Sequence, residues 1–309
     1  MNNGYLFPGQ GAQYPGMGKD FFSSFAVARE TFAEADELLS EHLSRIVFEG
    51  PEDLLTQTKY SQAGIFVTSA VILRTIESQF PHLRPSACSG LSLGEYTALF
   101  ATGRLSFQDT LKLISERARL MNEACERTSG TMAAVLGLSA EDIEKALLEC
   151  SDVWIANYNC PGQIVISGTK AGVEKAAAPL KAAGAKRVLP LTVHGAFHSG
   201  LMQSAQDGLA PFINTAPLLD SQVGLIMNVP GDFVHRAEEI RRNLTLQVTH
   251  SVRWEQGIRS MVGIDLFIEI GCGKTLAGLN KKIGVAAPTI SIEKVEDLER
   301  IGELLCSSC

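Results

Sequence analysis

Ser92 stands between two glycines, in Gly90-Leu91-Ser92-Leu93-Gly94, with the Gly-x-Ser-x-Gly spacing that is typical of a nucleophile elbow. In such an elbow a strand turns sharply into a helix, and the serine hydroxyl at the turn projects into a cleft. The glycines let neighbouring backbone approach without a Cβ clash, and the start of the helix offers N–H groups to a developing oxyanion. The pattern predicts covalent chemistry at Ser92. Taken alone, it also fits a glycine-rich turn between a strand and a buried helix.

A serine hydroxyl is a poor nucleophile until a base accepts its proton, so this chemistry requires a histidine. The chain has six histidines. Position favours His198, because it follows directly on a predicted inserted domain and so borders the cleft beside it; His194 is the second candidate. No Asp or Glu flanks His198 in sequence. Its orienting partner is therefore not restricted to a carboxylate, and a backbone carbonyl or a side-chain amide fits as well.

An arginine lies on the helix that is predicted after the elbow. Asp109 is the predicted N-cap of this helix, which is expected to run to about residue 125. Arg117 borders its apolar stripe, which consists of Ile114, Ala118 and Met121. Such an arginine is either solvated at the edge of the stripe or buried against a carboxylate. The periodicity alone favours the solvated edge.

The elements that must position these side chains alternate between strands and helices, as in an α/β fold. Residues 4–7 read as a buried strand, and the glycine-rich loop 8–13 that follows can offer backbone N–H groups to a ligand oxygen. An ordinary turn explains the loop equally well. Apolar runs and helical periodicity predict further strands over 223–227 and 265–270, and helices over 20–48 and 61–80.

The middle of the chain has a different character. Strands are predicted over 131–137, 153–157, 163–168 and 186–193, and helices over 139–150 and 170–183. This order, β-α-β-β-α-β, is that of the ferredoxin-like split unit. The sequence therefore predicts an inserted small domain over residues 127–196, and a large domain that is built from residues 1–126 and 197–309.

Two glycine-rich stretches do not fit the nucleotide-binding motifs that they suggest. The loop after the first strand would need glycine at position 14 for Gly-x-Gly-x-x-Gly, and Tyr14 stands there. The stretch 271–275, Gly-Cys-Gly-Lys-Thr, would need glycine at position 268 for a phosphate-binding loop, where the chain has Ile268. An ATPase or GTPase is therefore disfavoured.

Composition excludes several classes of partner. The chain has 309 residues, and its 20% of charged residues is ordinary for a globular protein. Its net charge of −7 argues against a nucleic-acid binder, which needs clustered basic residues to neutralise phosphates. No apolar run reaches the length of a membrane span, and the N-terminus lacks the pattern of a signal peptide. The seven cysteines are interpreted as reduced thiols, and Cys306 and Cys309 as a loose tail rather than a metal or redox pair. A cytoplasmic protein is expected.

Seven stretches, taken together and in this order, resemble malonyl-CoA:acyl-carrier-protein transacylases, the acyltransferase family of fatty acid and polyketide synthesis. They cover nearly the whole chain and consist of 7–13, 90–96, Arg117, 157–163, 196–199, Gln247 with 252–254, and 269–271 with 273–274. The resemblance implies an α/β-hydrolase-like large domain with a parallel sheet and a ferredoxin-like insert. The active site is expected in the gorge between them.

The resemblance also assigns catalytic roles. Ser92 would attack the thioester, and His198 would be the general base and later the acid. Gln247 would hold the imidazole through an oxygen. The backbone N–H groups of Gln10 and Leu93 would form the oxyanion hole, which suits the glycine-rich loop and the helix start.

Substrate recognition is implied in the same way. Arg117 would grip the malonyl carboxylate through a bidentate pair, which replaces the solvated-edge interpretation. Asn159 and Phe197 are further implied substrate-binding residues, and the bulk of Phe197 resembles versions that exclude an α-methyl branch. Leu91 departs from the histidine that commonly precedes the nucleophile, a feature associated with acyltransferases that serve polyketide synthases.

The implied activity is ping-pong transfer of malonyl from malonyl-CoA, through a malonyl-serine ester, to the phosphopantetheine thiol of acyl carrier protein for fatty acid synthesis. No cofactor or metal is expected, and the protein is expected to be a monomer. A basic cluster of Lys181, Lys186 and Arg187 is a candidate docking surface for the acidic carrier, although a solvated helix end also explains it. The alternatives are a malonyl transferase of polyketide synthesis, an α/β-hydrolase esterase and a non-catalytic carrier-protein or acyl-CoA binding module.

Overall fold

The computed structural model describes residues 1–193 and 195–307, the last three of these by backbone alone. The second candidate base, His194, and the thiols of the pair Cys306 and Cys309 lie outside this description. The described part of the chain forms two sheets with helices packed around them. Their strands, β1 to β10, are Asn3–Phe7, Pro85–Gly90, Gly130–Leu136, Val153–Cys160, Gln163–Thr169, Arg187–Pro190, Gly224–Met227, Asp232–Phe233, Leu266–Ile270 and Thr289–Ile292.

The helices come from almost every segment between the strands. In chain order, α1 to α14 are Lys19–Ser24, Ala26–Leu39, Leu43–Glu49, Glu52–Thr56, Thr58–Gln79, Gly94–Ala101, Phe107–Arg127, Ala140–Ala146, Lys170–Ala182, Gln203–Thr215, Ala237–Gln247, Trp254–Ser260, Thr275–Ile283 and Leu298–Ser307. Two short 3₁₀ turns, Gly200–Met202 and Val295–Asp297, precede α10 and α14.

The larger sheet has six strands in the order β10-β9-β1-β2-β7-β8. The first five are parallel, and only β8 runs antiparallel to its neighbour β7. Strands β1 and β9 are buried along their whole length, as expected for a parallel sheet covered on both faces. The carboxyl ends of β1, β2 and β7 meet at one edge, where ligands of open α/β sheets usually bind.

The smaller sheet lies wholly within residues 130–190. Its four strands are ordered β4-β5-β3-β6, and all three pairings are antiparallel. Helices α8 and α9 pack on it around a separate apolar cluster that includes Val135, Ile143, Ile166 and Leu180. The succession β3-α8-β4-β5-α9-β6 has the order that was predicted for this segment.

Several local predictions need correction. The N-cap of α7 is Ser106 and not Asp109, because the Ser106 hydroxyl accepts the N–H of Asp109, which therefore lies inside the first turn. Helix α8 ends at Ala146 and β6 at Pro190, so both are shorter than predicted. Strands β8 and β10 are short and were not predicted.

The loop that resembles a phosphate-binding motif has an internal role. It joins β9 to α13, and the first N–H groups of this helix, those of Leu276 and Ala277, donate to the carboxylate of Glu269 at 2.9 and 3.0 Å. The protein's own carboxylate thus occupies the position that an anion would take at this helix start.

Candidate active site

The turn at Ser92 has the geometry of a nucleophile elbow. Strand β2 ends at Gly90, α6 begins at Gly94, and Ser92 between them has φ of 52°, in the left-handed region. A Cβ at Gly90 would lie 2.0 Å from the carbonyl oxygen of Gly94, and a Cβ at Gly94 would lie 2.2 Å from that of Phe7. Both glycines are therefore required by close backbone approach.

The structure brings His198 to Ser92. Its Nε2 lies 2.7 Å from Ser92 Oγ, and its Nδ1 lies 2.8 Å from the backbone carbonyl oxygen of Gln247. Because a carbonyl only accepts, Nδ1 carries the proton and Nε2 is free to accept the Ser92 hydroxyl proton. Burial of the ring, and then the charge of Arg117, lower the pKa of His198 to about 4. The imidazole is thus uncharged at neutral pH.

Arg117 is buried, with 1% of its surface exposed, so the solvated edge that periodicity favoured is wrong. Helix α5 packs against α7 and covers this side chain. The guanidinium donates from Nη1 to Gln62 Oε1 at 2.7 Å, and from Nη2 to Ser92 Oγ and Gln247 Oε1, both at 3.0 Å. These acceptors are neutral, so the cation contacts two side-chain amides and the Ser92 hydroxyl rather than a carboxylate. Burial lowers the pKa of Arg117, although an arginine stays protonated in proteins.

Gln247 contributes to the site through two different groups. Its backbone carbonyl oxygen accepts the proton-bearing Nδ1 of His198 and so orients the ring. Its side-chain Nε2 donates to the backbone carbonyl of Ser92 and to Glu95 Oε1, both at 2.9 Å. One residue at the end of α11 therefore contacts His198, Ser92 and Arg117.

A cavity of about 270 Å³ opens onto these groups, between the two sheets. Ser92, Arg117 and His198 line it together with Gln10, Asn159 and Phe197, and with apolar side chains that include Leu91, Met121, Met132 and Val165. Leu93 does not line the cavity, because its side chain is fully buried at the N-cap of α6. In the described part of the chain, the backbone N–H groups of Gln10 and Leu93 donate to no protein acceptor.

Three polar residues at the site were not predicted. Gln62 bridges Arg117 and Gln10, since its Nε2 donates to Gln10 Oε1 at 3.1 Å. Asn228 follows β7 and accepts the N–H of Ser92, and Glu95 holds both Asn228 and Gln247. The sequence carried one usable signal, because Asn228 comes directly after a predicted strand, where side chains reach the carboxyl edge of a parallel sheet.

The sequence profile of the acyl transferase domain matches residues 4–284. The chain belongs to the acyl transferase family. A relative from Bacillus subtilis (strain 168), named malonyl CoA-acyl carrier protein transacylase, is 41% identical over 301 residues, which is 96% of this chain and 94% of the relative. The family resemblance predicted from the motifs is thereby confirmed.

Solved structures of this acyl transferase family agree over the full fold. An acyl carrier protein S-malonyltransferase from Vibrio cholerae has a TM-score of 0.93 and 36% identity, with 97% of this chain and 100% of that chain covered. A malonyl-transacylase that was solved in complex with a type II polyketide synthase acyl carrier protein has a TM-score of 0.94 and 35% identity, with 98% and 100% covered.

Two other kinds of site are absent from the described residues. Among the side chains that the structure describes, those of residues 1–193 and 195–304, no three from His, Cys, Asp or Glu are grouped so that they could hold a metal ion. None of the helices in these same residues is both long and apolar enough to cross a membrane.

Proposed function

We propose that this protein transfers the malonyl group of malonyl-CoA to the phosphopantetheine thiol of acyl carrier protein through an ester on Ser92. One observation carries the proposal: Ser92 Oγ lies 2.7 Å from His198 Nε2 and 3.0 Å from Arg117 Nη2. A base and a buried cation thus meet at one hydroxyl. In a malonyl thioester a single methylene separates the attacked carbonyl from the carboxylate, so both groups can be engaged at once. The names of the relatives, a malonyl CoA-acyl carrier protein transacylase and an acyl carrier protein S-malonyltransferase, support this substrate.

In the first half-reaction His198 Nε2 takes the Ser92 proton while Oγ forms a bond to the thioester carbonyl carbon. The oxyanion that develops would be received by the free N–H groups of Gln10 and Leu93. The C–S bond then breaks, and the proton passes from His198 to the sulfur of the departing CoA. In the second half-reaction the carrier thiol gives its proton to His198, and its sulfur forms a bond to the ester carbonyl carbon. The bond from that carbon to Ser92 Oγ then breaks, and His198 returns the proton to Oγ, which restores the Ser92 hydroxyl.

Selectivity follows from the burial of Arg117. A neutral acyl group would leave this buried guanidinium without an anion, which is strongly unfavourable, whereas a malonyl carboxylate can form a bidentate pair. The same pairing offsets the positive charge that lowers the pKa of His198, so a bound carboxylate makes the base stronger. Phe197 and Asn159 line the cavity and would restrict the acyl group.

The basic cluster of Lys181, Lys186 and Arg187 is proposed as part of the carrier docking surface. All three side chains are exposed, at the end of α9 and the start of β6. An acidic carrier protein would be attracted to such a surface.

We further propose a fold type for each of the two sheets and a cellular compartment for the protein. The larger sheet is taken as α/β-hydrolase-like, and residues 127–196 as a ferredoxin-like insert, which the order β4-β5-β3-β6 supports. The free thiols of the five described cysteines suit a reducing compartment such as the cytoplasm. A monomer remains a prediction.

A polyketide synthase is a second possible acceptor system. Leu91 favours it, and so does the likeness to a malonyl-transacylase that was solved with a type II polyketide synthase carrier. Steady-state transfer to a fatty-acid carrier and to a polyketide carrier separates these two functions, because the natural acceptor has the higher kcat/KM.

The direct test is incubation with labelled malonyl-CoA and acetyl-CoA in parallel, followed by intact mass and peptide mapping. We expect malonyl on Ser92, stable until holo acyl carrier protein is added. Rapid loss of the label to water would indicate an esterase. Unchanged transfer by Ser92→Ala would exclude the covalent mechanism. Binding of malonyl-CoA by the native protein without loading or transfer would favour a non-catalytic binding module.

A further inference from the structure

Glu95 is a buried side chain that takes no part in the proposed transfer steps. It contacts two residues that hold the backbone of Ser92 in place. It lies in the first turn of α6 and is fully buried. Oε1 accepts a hydrogen bond from Gln247 Nε2 at 2.9 Å, and Oε2 accepts one from the backbone N–H of Asn228. Since burying a carboxylate is costly without such partners, both oxygens are used as acceptors of strong hydrogen bonds.

The two partners of Glu95 hold both peptide groups of the nucleophile. Asn228 Oδ1 accepts the N–H of Ser92, and its Nδ2 donates to the carbonyl of Gly90, both at 2.8 Å. Gln247 Nε2 donates to the carbonyl of Ser92 at 2.9 Å. A serine with φ of 52° is in a costly conformation, which persists only when its surroundings fix it. Asn228 and Gln247 provide that restraint, and both are hydrogen-bonded to Glu95.

Glu95 is also connected to Arg117, with one amide between them. Gln247 Oε1 accepts from Arg117 Nη2 at 3.0 Å, while Gln247 Nε2 points to Glu95. The amide dipole therefore has its oxygen toward the cation and its nitrogen toward the anion. A carboxylate in direct contact with Arg117 would compete with an acyl carboxylate for the guanidinium. Because Gln247 separates Glu95 from Arg117, Glu95 can stabilise the buried positive charge and still leave the guanidinium accessible to a ligand. Burial raises the pKa of Glu95 to about 8, although its two hydrogen bonds and Arg117 oppose that shift. The ionised carboxylate is therefore the main form above about pH 8, and the variants below are compared at such a pH.

We propose that Glu95 is a positioning residue. Through Asn228 and Gln247 it fixes the backbone of Ser92, and through Gln247 it keeps Arg117 oriented and open to an acyl carboxylate. The second effect rests on the proposed function, because it is read out as malonyl selectivity. The first does not, because any serine-directed reagent reports it.

The test is Glu95→Gln. A neutral amide offers one acceptor and one NH₂ group, so the NH₂ must face either the Asn228 N–H or Gln247 Nε2, and one hydrogen bond is lost. We expect Ser92 labelling by a neutral fluorophosphonate to slow about tenfold, and the malonyl-over-acetyl ratio of kcat/KM to fall about tenfold. The melting temperature is measured alongside.

Glu269→Gln is the matched control. Glu269 is equally buried and accepts two backbone N–H groups, but it lies in β9, where its carboxylate contacts the start of α13, and it does not line the cavity. It should lower the melting temperature without changing the labelling rate or the acyl ratio. A Glu95→Gln variant that behaves like this control would overturn the proposal.

A second variant covers the case in which Glu95→Gln does not fold. Glu95→Asp keeps the charge but is one methylene shorter and reaches only one of the two donors, so smaller losses in the same two measurements are expected. Unchanged labelling and ratio in this variant would also refute the role of Glu95. A wild-type protein that cannot load malonyl, but whose Ser92 labelling depends on Glu95, would instead refute the proposed function alone.

Discussion

Replacing Arg117 with methionine removes the cation from the site and keeps an unbranched side chain in its place. The native guanidinium is 1% exposed and makes its hydrogen bonds to Gln62, Ser92 and Gln247. Methionine occupies the path of the arginine stem but offers neither charge nor donor. Ser92 and His198 keep their own contact, so a comparison of malonyl-CoA with acetyl-CoA separates recognition of the acyl carboxylate from any effect on Ser92 and His198.

The size of the effect follows from the burial of the pair. Deleting one partner of a buried, hydrogen-bonded ion pair costs about 3 kcal/mol or more, which corresponds to a loss of about a hundredfold or more in kcat/KM with malonyl-CoA. Acetyl-CoA has no carboxylate, so it gains nothing from the guanidinium, and in the variant it no longer leaves a buried cation without an anion. Loading of acetyl should therefore stay within about threefold of the native rate, or rise.

The assay is the initial rate of Ser92 acylation with each thioester, followed by intact mass. Arg104→Met is the control, because Arg104 is also 1% exposed but donates to the carbonyls of Val223 and Ser221, outside the cavity. It should change stability without changing the malonyl-over-acetyl ratio. Equal losses with both thioesters in Arg117→Met would mean that the arginine acts on the Ser92 hydroxyl itself, and the selectivity argument would fail.

Three further results are expected. The pKa of about 4 for His198 predicts that kcat/KM for malonyl loading stays constant as the pH falls to about 5. In the pH profile of kcat, the half-maximal point should lie at a higher pH, because a bound carboxylate offsets the charge of Arg117. A half-maximal point of kcat/KM near the ordinary histidine pKa of about 6.5 would contradict this prediction. Gly94→Ala should destabilise the fold by about 2 kcal/mol in chemical denaturation, since its Cβ would lie 2.2 Å from the Phe7 carbonyl, whereas Gly278→Ala, with open space around it, should be neutral or stabilising. Reversing the charges of the basic cluster should raise the KM for acyl carrier protein and leave the KM for malonyl-CoA unchanged, and an unaltered carrier KM would remove the cluster from the docking surface.

Local patterns predicted most of the strands and indicated the elbow, although the same pattern also fitted a glycine-rich turn. A Cβ at Gly90 would clash with the backbone of Gly94, and a Cβ at Gly94 would clash with Phe7 on the neighbouring strand. The spacing of the two glycines around Ser92 is therefore a direct sign of the sharp turn. The N-cap of α7 shows the limit of such patterns. Ser106 and Asp109 both suit a helix start, and only the observed hydrogen bond identifies Ser106 as the cap.

The environment of Arg117 could not be predicted from its own helix. A residue beside an apolar stripe is exposed or buried according to what packs there, and here it is α5, which brings Gln62 from 55 positions away. Asn228 reaches Ser92 across 136 positions. Such contacts depend on the order of the strands in the sheet, which periodicity does not contain. The family resemblance predicted the burial of Arg117 because it carried this long-range information.

The strand order has a consequence for how the protein is made. The first strand, β1, lies between β2 and β9, and Gly4 pairs with Phe267. About 260 residues separate these strands in the chain, which a ribosome needs roughly 10 to 50 s to add. During that time one edge of β1 has no partner and is open to aggregation. Nascent chains should therefore depend on protection by chaperones until residue 270 has emerged.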